Sequence, residues 1–448
     1  MSDPVVTLIL SDLHVGGGPA DKGDDHIYDK QQLVEFLREQ AATQEGKRGQ
    51  VELYFNGDFF EFAQANQAAF KLTSDHYWCT EGESLAKLET MLTGHSDIFD
   101  ELKRFQDPGN VVTIAAGNHD VDLYWPKVQQ RLRQAVGIGL RFEVGHDWVE
   151  RHGGKLQIAH GHMSDPANKF KNWGVPVSKD PWGAQRLEMC PGTLFMVKFV
   201  NKLEAKYPFA DNLVPVTKLA SVLLRDDKSG FSSVGWMFAS FIVGTSWTVL
   251  GAGATDNYGD RLLARFELDA ARRAKLDSAL TSAGLEESRT KLKSEVFTKE
   301  LLNSLMFDLL GRIDDVTWRA LFELGPPPTL GTGDVTLSAL VRHIFDDDKT
   351  KLRSVAQQRI NATKASVVVM GHTHQPDEVQ LEGGMYYNPG CWTRYLDLKS
   401  SDKVTLEDLK DESWYPYQLN YVRVEPDEYG GLKSKMVCFQ KEAGRFPG

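Results

Sequence analysis

The stretch that decides the fold is Val111-Val112-Thr113-Ile114-Ala115-Ala116-Gly117-Asn118-His119-Asp120. Its first six residues are apolar or β-branched and end at a glycine, which is typical of a buried β-strand. The polar tetrapeptide Gly117-Asn118-His119-Asp120 therefore follows the carboxyl end of a strand, where open α/β sheets bind their ligands. The pattern predicts an α/β fold with a functional site at that end.

Four further segments repeat this order of an apolar strand followed by side chains that can bind metal. The runs 5–10, 51–55, 156–159 and 367–370 precede Ser11-Asp12-Leu13-His14, Asn56-Gly57-Asp58-Phe59-Phe60-Glu61, His160-Gly161-His162 and Gly371-His372-Thr373-His374, respectively. We expect the five strands to deliver these groups to one edge of a sheet. In an extended backbone, residues spaced by two face the same side, so Asp12/His14 and His372/His374 would act as pairs. Such a cluster has enough oxygen and imidazole donors for two metal ions.

Length and composition indicate a globular protein with more than one structural unit. The chain has 448 residues, more than one compact core usually holds. Hydrophobic residues make up 41% and charged residues 25%, as in ordinary globular proteins. The net charge of −11 disfavours a general nucleic-acid binder.

The strand pattern stops after the fourth block and resumes before the fifth. We therefore predict a body made of residues 1–164 and 366–448, interrupted by a large, mainly helical insertion at 165–365. Predicted helices of the body are 29–44, with Leu33, Phe36 and Leu37 buried, and 84–105 and 124–135. Further predicted strands are 142–148, 385–388, 419–424 and 435–439. In the insertion we predict helices at 260–280 and 294–310.

Residues 231–254 contain no charged side chain. A buried helix pair is the favoured interpretation, because the Gly, Ser and Thr content is high for a spanning helix and no strongly basic flank is present. Contact with lipid or a membrane surface is the alternative.

The cysteines favour a reducing compartment. Cys79, Cys190, Cys391 and Cys438 are scattered without paired spacing. The first predicted strand starts at residue 5, with no apolar signal core before it. We expect a cytoplasmic protein, with peripheral membrane attachment through 231–254 as the alternative.

Taken together, the blocks resemble the motifs of the calcineurin-like metallophosphoesterase superfamily and occur in the family's order. They are Asp12-x-His14, Gly57-Asp58-x-x-Glu61, Gly117-Asn118-His119-Asp120, His160-Gly161-His162 and Gly371-His372-x-His374. The resemblance implies a four-layer αββα metallophosphoesterase sandwich, with the body as catalytic domain and the insertion as a cap over the site. It also implies hydrolysis of a phosphoric ester by metal-activated hydroxide.

By the same resemblance, two divalent ions share Asp58. One ion would be bound by Asp12, His14, Asp58 and His374, and the other by Asp58, Asn118, His160 and His372. Carboxylates attract hard cations, whereas imidazoles favour Mn, Fe or Zn over Mg or Ca. The mixture favours Mn²⁺ or Fe²⁺ without excluding Zn²⁺.

The resemblance also implies roles next to the metal ligands. His119 would protonate the leaving oxygen or stabilise charge there. In related phosphatases an acidic residue three positions after the bridging aspartate pairs with this histidine, and here it is Glu61. Asp120 is expected to fix its loop. His162 is interpreted as a residue supporting the ligands, with substrate contact as the alternative. Arg394 is either a bidentate phosphate donor or an ordinary surface arginine.

Within the superfamily, the block Gly57-Asp58-Phe59-Phe60-Glu61 and the position of the insertion resemble those of UDP-2,3-diacylglucosamine hydrolase-like members. Those enzymes cleave a pyrophosphate in lipid A assembly and carry a helical lid between the same two blocks. This chain departs from them at His119, where arginine is common, at His162, where aspartate is usual, and in its longer insertion. We expect a phosphodiester or pyrophosphate substrate that is a small nucleotide- or lipid-linked molecule.

Three other functions stay open at the level of sequence. A metal-dependent nuclease would need a basic groove, which the acidic charge disfavours. A phosphomonoesterase or protein phosphatase is the second, although Phe62 stands where protein phosphatases have arginine. A non-catalytic scaffold is the third, and the complete ligand set argues against it.

Overall fold

The computed structural model describes residues 5–20, 30–65, 79–165, 168–179, 184–190, 192–193, 196–204, 207–214, 218–227, 270–298, 349–397, 404–411 and 415–442, and single positions between 266 and 321. The stretch 231–254, with its predicted helix pair or lipid contact, lies outside the described residues.

The described residues form both strands and helices. The strands are β1 (Val6–Leu10), β2 (Val51–Asn56), β3 (Val111–Ala115), β4 (Arg141–Glu143), β5 (Val149–Arg151), β6 (Leu156–Ile158), β7 (Val177–Lys179), β8 (Gln185–Leu187), β9 (Leu213–Val214), β10 (Val367–Val369), β11 (Asp377–Leu381), β12 (Gly384–Asn388), β13 (Leu396–Asp397), β14 (Tyr417–Pro426) and β15 (Leu432–Glu442). The helices are α1 (Lys30–Ala42), α2 (Gln44–Lys47), α3 (Glu81–Gly94), α4 (Ser96–Gln106), α5 (Pro126–Val136), α6 (Asn201–Glu204), α7 (Lys218–Asp226), α8 (Ala270–Ser282), α9 (Glu286–Ser294) and α10 (Lys349–Thr363).

The fold is mixed α/β, built on two large mixed sheets. One sheet has the order β15-β14-β1-β2-β3-β4, with β1 to β4 parallel and β14 and β15 antiparallel. The other has the order β11-β12-β10-β6-β5, with β12, β10 and β6 parallel. The expectation of a single sheet edge is therefore wrong, because the five ligand-bearing strands divide between the two sheets.

The inner faces of the two sheets pack against each other, and helices cover the outer faces. Ile9, Tyr54, Ile158, Val369 and Val422 belong to the apolar cluster between the sheets. Alternate residues of the same strands face outward, since side chains alternate along a strand. The outward residues of the first sheet share a cluster with α1, α3, α4 and α5, and those of the second share one with α10. This burial of both faces explains why the strands are almost continuously apolar.

Two predicted elements are wrong in their bounds. The predicted strand 142–148 is interrupted because the chain crosses here from β4 in the first sheet to β5 in the second, turning at Gly145 with φ 77°. The predicted helix 84–105 is two helices, α3 and α4, that meet at His95. Gly94 lies against the backbone of Gly17, so close that a Cβ would be 2.7 Å from the Gly17 carbonyl oxygen. The contact requires glycine at position 94, and the helix breaks at His95, whose φ of −127° and ψ of 36° are not helical.

The predicted insertion contains short strands as well as helices. β7, β8 and β9 lie within it, and β9 pairs with β13 of the body. Farther along, α8 and α9 flank an apolar cluster of their own that includes Leu276, Leu280, Leu301 and Leu305. None of the helices within the described ranges is long and apolar enough to cross a membrane.

An ion pair with a buried carboxylate joins the two sheets near the amino ends of β2 and β6. Arg151 on β5 donates from Nε to both carboxylate oxygens of Glu52 on β2, at 3.1 and 3.0 Å. Glu52 is 1% exposed and also accepts a hydrogen bond from Thr113 Oγ1 at 2.8 Å. The pair therefore links one sheet to the other and leaves no described buried charge there uncompensated.

We predict that Arg151→Met lowers the free energy of unfolding by about 3 kcal/mol, because Glu52 would keep a buried charge without its main partner. The matched control is Arg131→Met, which removes an exposed pair with Glu89 and should cost less than about 1 kcal/mol. Denaturant unfolding measures both. Equal losses in the two variants would contradict the role assigned to Arg151.

Candidate metal centre

The loops that carry most of the predicted ligands have left-handed backbone. Asp12, His14, Asp58, His372 and His374 have φ between 49° and 71°. The extended backbone expected for the pairs spaced by two is therefore wrong. Five of the seven described non-glycine residues with positive φ are predicted ligands. Such conformations cost on the order of 1–3 kcal/mol each and persist only where the surroundings impose them, typically at functional sites.

Backbone hydrogen bonds impose this conformation by tying the loops together. The loop after β1 donates to the loop after β2, from Asp12 N to Gly57 O at 3.2 Å and from His14 N to Asp58 O at 3.0 Å. Trp392 N donates in turn to Asp12 O at 3.0 Å. These hydrogen bonds fix the backbone of the loops, so that the side chains of the predicted ligands point toward one another.

Asp12, His14 and His374 form a first cluster. Their ligand atoms lie within 4.8 Å of one another. His374 Nε2 is 3.1 Å from His14 Nε2 and 3.4 Å from Asp12 Oδ1. The other oxygen of Asp12 accepts a hydrogen bond from His372 N at 3.0 Å, which fixes the carboxylate. The cluster joins residues 360 positions apart in the chain.

Asp58, His160 and His372 form a second cluster, with ligand atoms also within 4.8 Å. His160 Nδ1 donates to Asn56 O at 2.8 Å, which leaves Nε2 to face Asp58 Oδ2 at 3.1 Å. Asp58 Oδ1 accepts a hydrogen bond from His119 N at 2.9 Å. Asp58 is grouped with the second cluster, and its sharing by both ions stays a prediction.

Glu61 lies between two histidines next to the clusters. Glu61 Oε2 is 2.8 Å from His14 Nδ1 and 2.7 Å from His119 Nδ1. The pairing with His119 follows the sequence expectation, whereas the contact with His14 was not foreseen. By binding Nδ1 of His14, Glu61 turns Nε2 of that ring toward His374. One buried carboxylate therefore orients a predicted metal ligand and the predicted acid together.

Burial and the pairing of His119 with Glu61 shift the pKa values of these two groups in opposite directions. Burial alone would lower the pKa of His119, but the charges of Glu61 and Asp58 outweigh it and raise that pKa to about 9. Burial would raise the pKa of Glu61, but His119 and His14 lower it to about 2. Before any cation binds, His119 and Glu61 are therefore an ion pair at neutral pH.

The donor set fits divalent cations. Asp12 Oδ1 and Asn118 Oδ1 are buried and have no hydrogen-bond partner among the described residues, although buried polar atoms normally have one. Asn118 is oriented by its amide nitrogen, which donates to Asn168 Oδ1 at 3.3 Å. Carboxylate and amide oxygens next to imidazoles suit Mn²⁺, Fe²⁺ or Zn²⁺. The two clusters with Asn118 could therefore hold two such ions.

Asp120 organises the loops beneath the ligands, as expected from the sequence. Its Oδ1 accepts hydrogen bonds from Gly117 N at 2.6 Å and Asp58 N at 3.3 Å. Its Oδ2 accepts from Phe59 N at 2.9 Å and Phe60 N at 3.4 Å. Fully buried, Asp120 joins the loop after β3 to the loop after β2 and does not belong to either cluster.

Glycine is required where the loops pass the ligands. A Cβ at Gly117 would overlap Asp58 Oδ1, and a Cβ at Gly371 would overlap Ser11 Oγ and lie 2.8 Å from Asp12 Oδ2. Any side chain at either position would displace a ligand carboxylate. The lack of space for a side chain therefore explains why glycine occurs in each of these two sequence blocks.

His162 and Arg394, the two candidate substrate-binding residues, lie in different surroundings. His162 is buried in an aromatic pocket, with its ring centroid 4.4 Å from that of Trp173 and 5.3 Å from that of His160. Burial and the nearby His160 hold the pKa of His162 well below its usual value, so the ring is neutral. Such contacts are typical of a residue that supports a neighbouring ligand, here the predicted ligand His160, by packing against it. Arg394 is half-buried, and its carbonyl accepts a hydrogen bond from Asn212 of the insertion at 2.9 Å.

Two polar residues at the start of the insertion were missed by sequence reasoning. Asp165 Oδ2 lies 3.2 Å from His372 Nε2, and Asn168 connects Asp165 to Asn118. The available signal was an aspartate five residues after His160, which is weak because aspartate is common in loops. Comparison of the chain with family models gave no match, and comparison with curated proteins gave none.

We predict that Asp120→Asn lowers the free energy of unfolding by about 1–3 kcal/mol, because an amide nitrogen cannot accept the backbone N–H groups and leaves buried donors unpaired. Denaturant unfolding of metal-free protein is the measurement. Glu35→Gln on the exposed face of α1 should stay within about 0.5 kcal/mol of wild type. An unchanged Asp120→Asn variant would mean that this network does not hold the loops.

Proposed function

We propose that the protein is a phosphoric ester hydrolase that depends on two divalent metal ions, a member of the calcineurin-like metallophosphoesterase superfamily with its four-layer αββα sandwich. The observation that carries this proposal is the convergence of six predicted ligands from four separate segments into two adjacent clusters, with the His119–Glu61 pair beside them. Asp12 Oδ1 and Asn118 Oδ1 support the proposal, since both belong to predicted ligands, are buried and have no hydrogen-bond partner among the described residues.

The proposed ligands are Asp12, His14, Asp58, Asn118, His160, His372 and His374, with Mn²⁺ or Fe²⁺ preferred and Zn²⁺ as the alternative. When bound, such a pair of cations lowers the pKa of a water molecule and neutralises phosphoryl oxygens. Asn118 contributes an oxygen without a negative charge, so it does not repel an incoming phosphate. Its Oδ1 is buried and has no described hydrogen-bond partner.

The chain's own groups supply proton transfer and orientation. His119 is the proposed proton donor to the leaving oxygen, because its ring is 15% exposed and Glu61 keeps it protonated. Since Nδ1 contacts Glu61, the proton that is transferred would lie on Nε2. Asp58 Oδ1 holds the backbone of His119 at 2.9 Å, which fixes the ring relative to the second cluster.

A small phosphodiester or pyrophosphate is the proposed substrate class, nucleotide- or lipid-linked. The early insertion contacts the site, since Asn168 Oδ1 accepts from Asn118 Nδ2 and Thr193 Oγ1 donates to Asn118 O at 3.3 Å. A cap over the ligands favours a small substrate over a long polymer or a folded protein. Cys79, Cys190, Cys391 and Cys438 are all unpaired, which accords with the cytoplasm as the proposed location.

Hydrolysis should require the proposed ligands. With Mn²⁺, we expect turnover of bis-p-nitrophenyl phosphate above that of p-nitrophenyl phosphate, and a loss of at least about 100-fold in kcat/KM in Asp58→Ala and Asn118→Ala. Glu35→Gln is the control that should retain wild-type rates. UDP-diacylglucosamine and single-stranded DNA test the pyrophosphatase and nuclease alternatives. Turnover that survives Asp58→Ala would exclude the proposed centre, and no turnover at all would favour a scaffold.

The acid role of His119 predicts a dependence on the leaving group. His119→Asn should slow a diester with an alkoxide leaving group by about 10²–10⁴-fold, because that oxygen needs a proton. A p-nitrophenyl diester should be slowed much less, since p-nitrophenolate leaves without protonation. Steady-state kinetics on the two substrates, with Glu35→Gln as control, separates these outcomes. Equal losses on both would indicate that His119 binds or positions rather than protonates.

A further inference from the structure

The second cluster has a carboxylate beside it that belongs to the insertion. Asp165 Oδ2 lies 3.2 Å from His372 Nε2. Neighbouring donor atoms of the proposed ligands have similar separations: 3.1 Å for His160 Nε2 to Asp58 Oδ2, and 3.4 Å for His374 Nε2 to Asp12 Oδ1. The distance between Asp165 and His372 is therefore similar to the distances between neighbouring donor atoms of the proposed ligands.

The position of Asp165 is set by its own loop. Gly161, with φ 119°, redirects the chain after His160 into a short 3-10 turn, and Asp165 N donates to His162 O at 3.0 Å. On the other side Asn168 N donates to Asp165 O at 3.0 Å. The side chain of Asn168 donates from Nδ2 to Asp165 Oδ2 at 2.6 Å. Backbone and side-chain contacts therefore orient this carboxylate toward His372.

Charge balance gives a reason for a third carboxylate. The seven proposed ligands include two carboxylates, Asp12 and Asp58, against four positive charges of two divalent ions. The second cluster has only Asp58 besides neutral donors. A hard cation at that cluster is better stabilised by one more anionic oxygen. Asp165, with its side chain 29% exposed, is at the rim where such an oxygen is accessible.

We propose that Asp165 is a further metal ligand, which completes the second cluster with an oxygen from the insertion, and that Asn168 is its positioning residue. This inference rests on the proposed function, because it requires that the clusters bind cations. It makes the insertion part of the metal centre as well as its cap. Asn168 also contacts Asn118, so it connects two ligands of the same ion through hydrogen bonds.

The first experiment measures Mn²⁺ binding to full-length protein stripped of metal by a chelator, by the loss of the electron paramagnetic resonance signal of free Mn²⁺. We expect two equivalents in wild type and a dissociation constant about 10–100-fold weaker for one of them in Asp165→Asn. Asp147→Asn, at an exposed aspartate between β4 and β5, is the matched control and should bind as wild type does. Circular dichroism of the metal-free variants checks that each is folded.

The second experiment separates a ligand from a residue that only orients His372. In Asp165→Cys loaded with Co²⁺, a thiolate bound to the ion gives a charge-transfer band in the near ultraviolet. Wild type and Asp147→Cys should lack the additional band. An orienting role alone would weaken binding without producing it. Neither measurement depends on catalytic turnover.

The outcomes distinguish this inference from the function on which it rests. Two bound equivalents with unchanged affinity in Asp165→Asn would overturn the ligand role and leave the phosphoesterase proposal standing. Weaker binding without the Co²⁺ band would also overturn it, in favour of orientation of His372. No Mn²⁺ binding by wild type would overturn both proposals. Weaker binding together with the band supports the ligand role.

Discussion

The structure depends on the compensation of carboxylates buried where the two sheets meet. Asp12, Asp58, Glu61 and Asp120 are each at most 1% exposed. A buried carboxylate is tolerated only if hydrogen bonds or opposite charges replace its hydration. Asp120 obtains backbone N–H donors and Glu61 obtains two imidazoles, whereas Asp12 keeps an oxygen without a described hydrogen-bond partner. This oxygen of Asp12 would be available to a cation at the proposed centre, whereas Glu61 and Asp120 hold the surrounding groups in place.

The same region concentrates unfavourable backbone conformations, and the rest of the fold supports them. Left-handed residues follow β1, β2 and β10, where a longer strand would have been lower in local energy. The cluster between the sheets and the Glu52–Arg151 pair hold the strands in place. The loops can therefore stay strained because their ends cannot move apart. The stability of the packed sheets thus allows the loops to hold the donor atoms of the predicted ligands in a fixed arrangement.

The start of the predicted insertion, residues 165–193, contacts the candidate site directly. Asp165 and Asn168 contact His372 and Asn118, and Thr193 donates to Asn118 O. The later helices around Leu276 and Leu280 have a separate apolar cluster. A boundary drawn at residue 165 therefore follows the change in sequence pattern but cuts through the hydrogen-bonded surroundings of the second cluster.

The sequence by itself determined those features that are encoded locally. The apolar runs, the polar residues that end them, the buried stripe of α1 and the pairing of Glu61 with His119 could all be predicted from periodicity, motif order or a family resemblance. Only the tertiary structure decided the division of the strands between two sheets, the left-handed backbone of five predicted ligands, the second contact of Glu61 with His14 and the approach of Asp165 to His372. Those features arise from contacts between residues far apart in the chain, and the local pattern of a segment does not encode which distant group will be its neighbour.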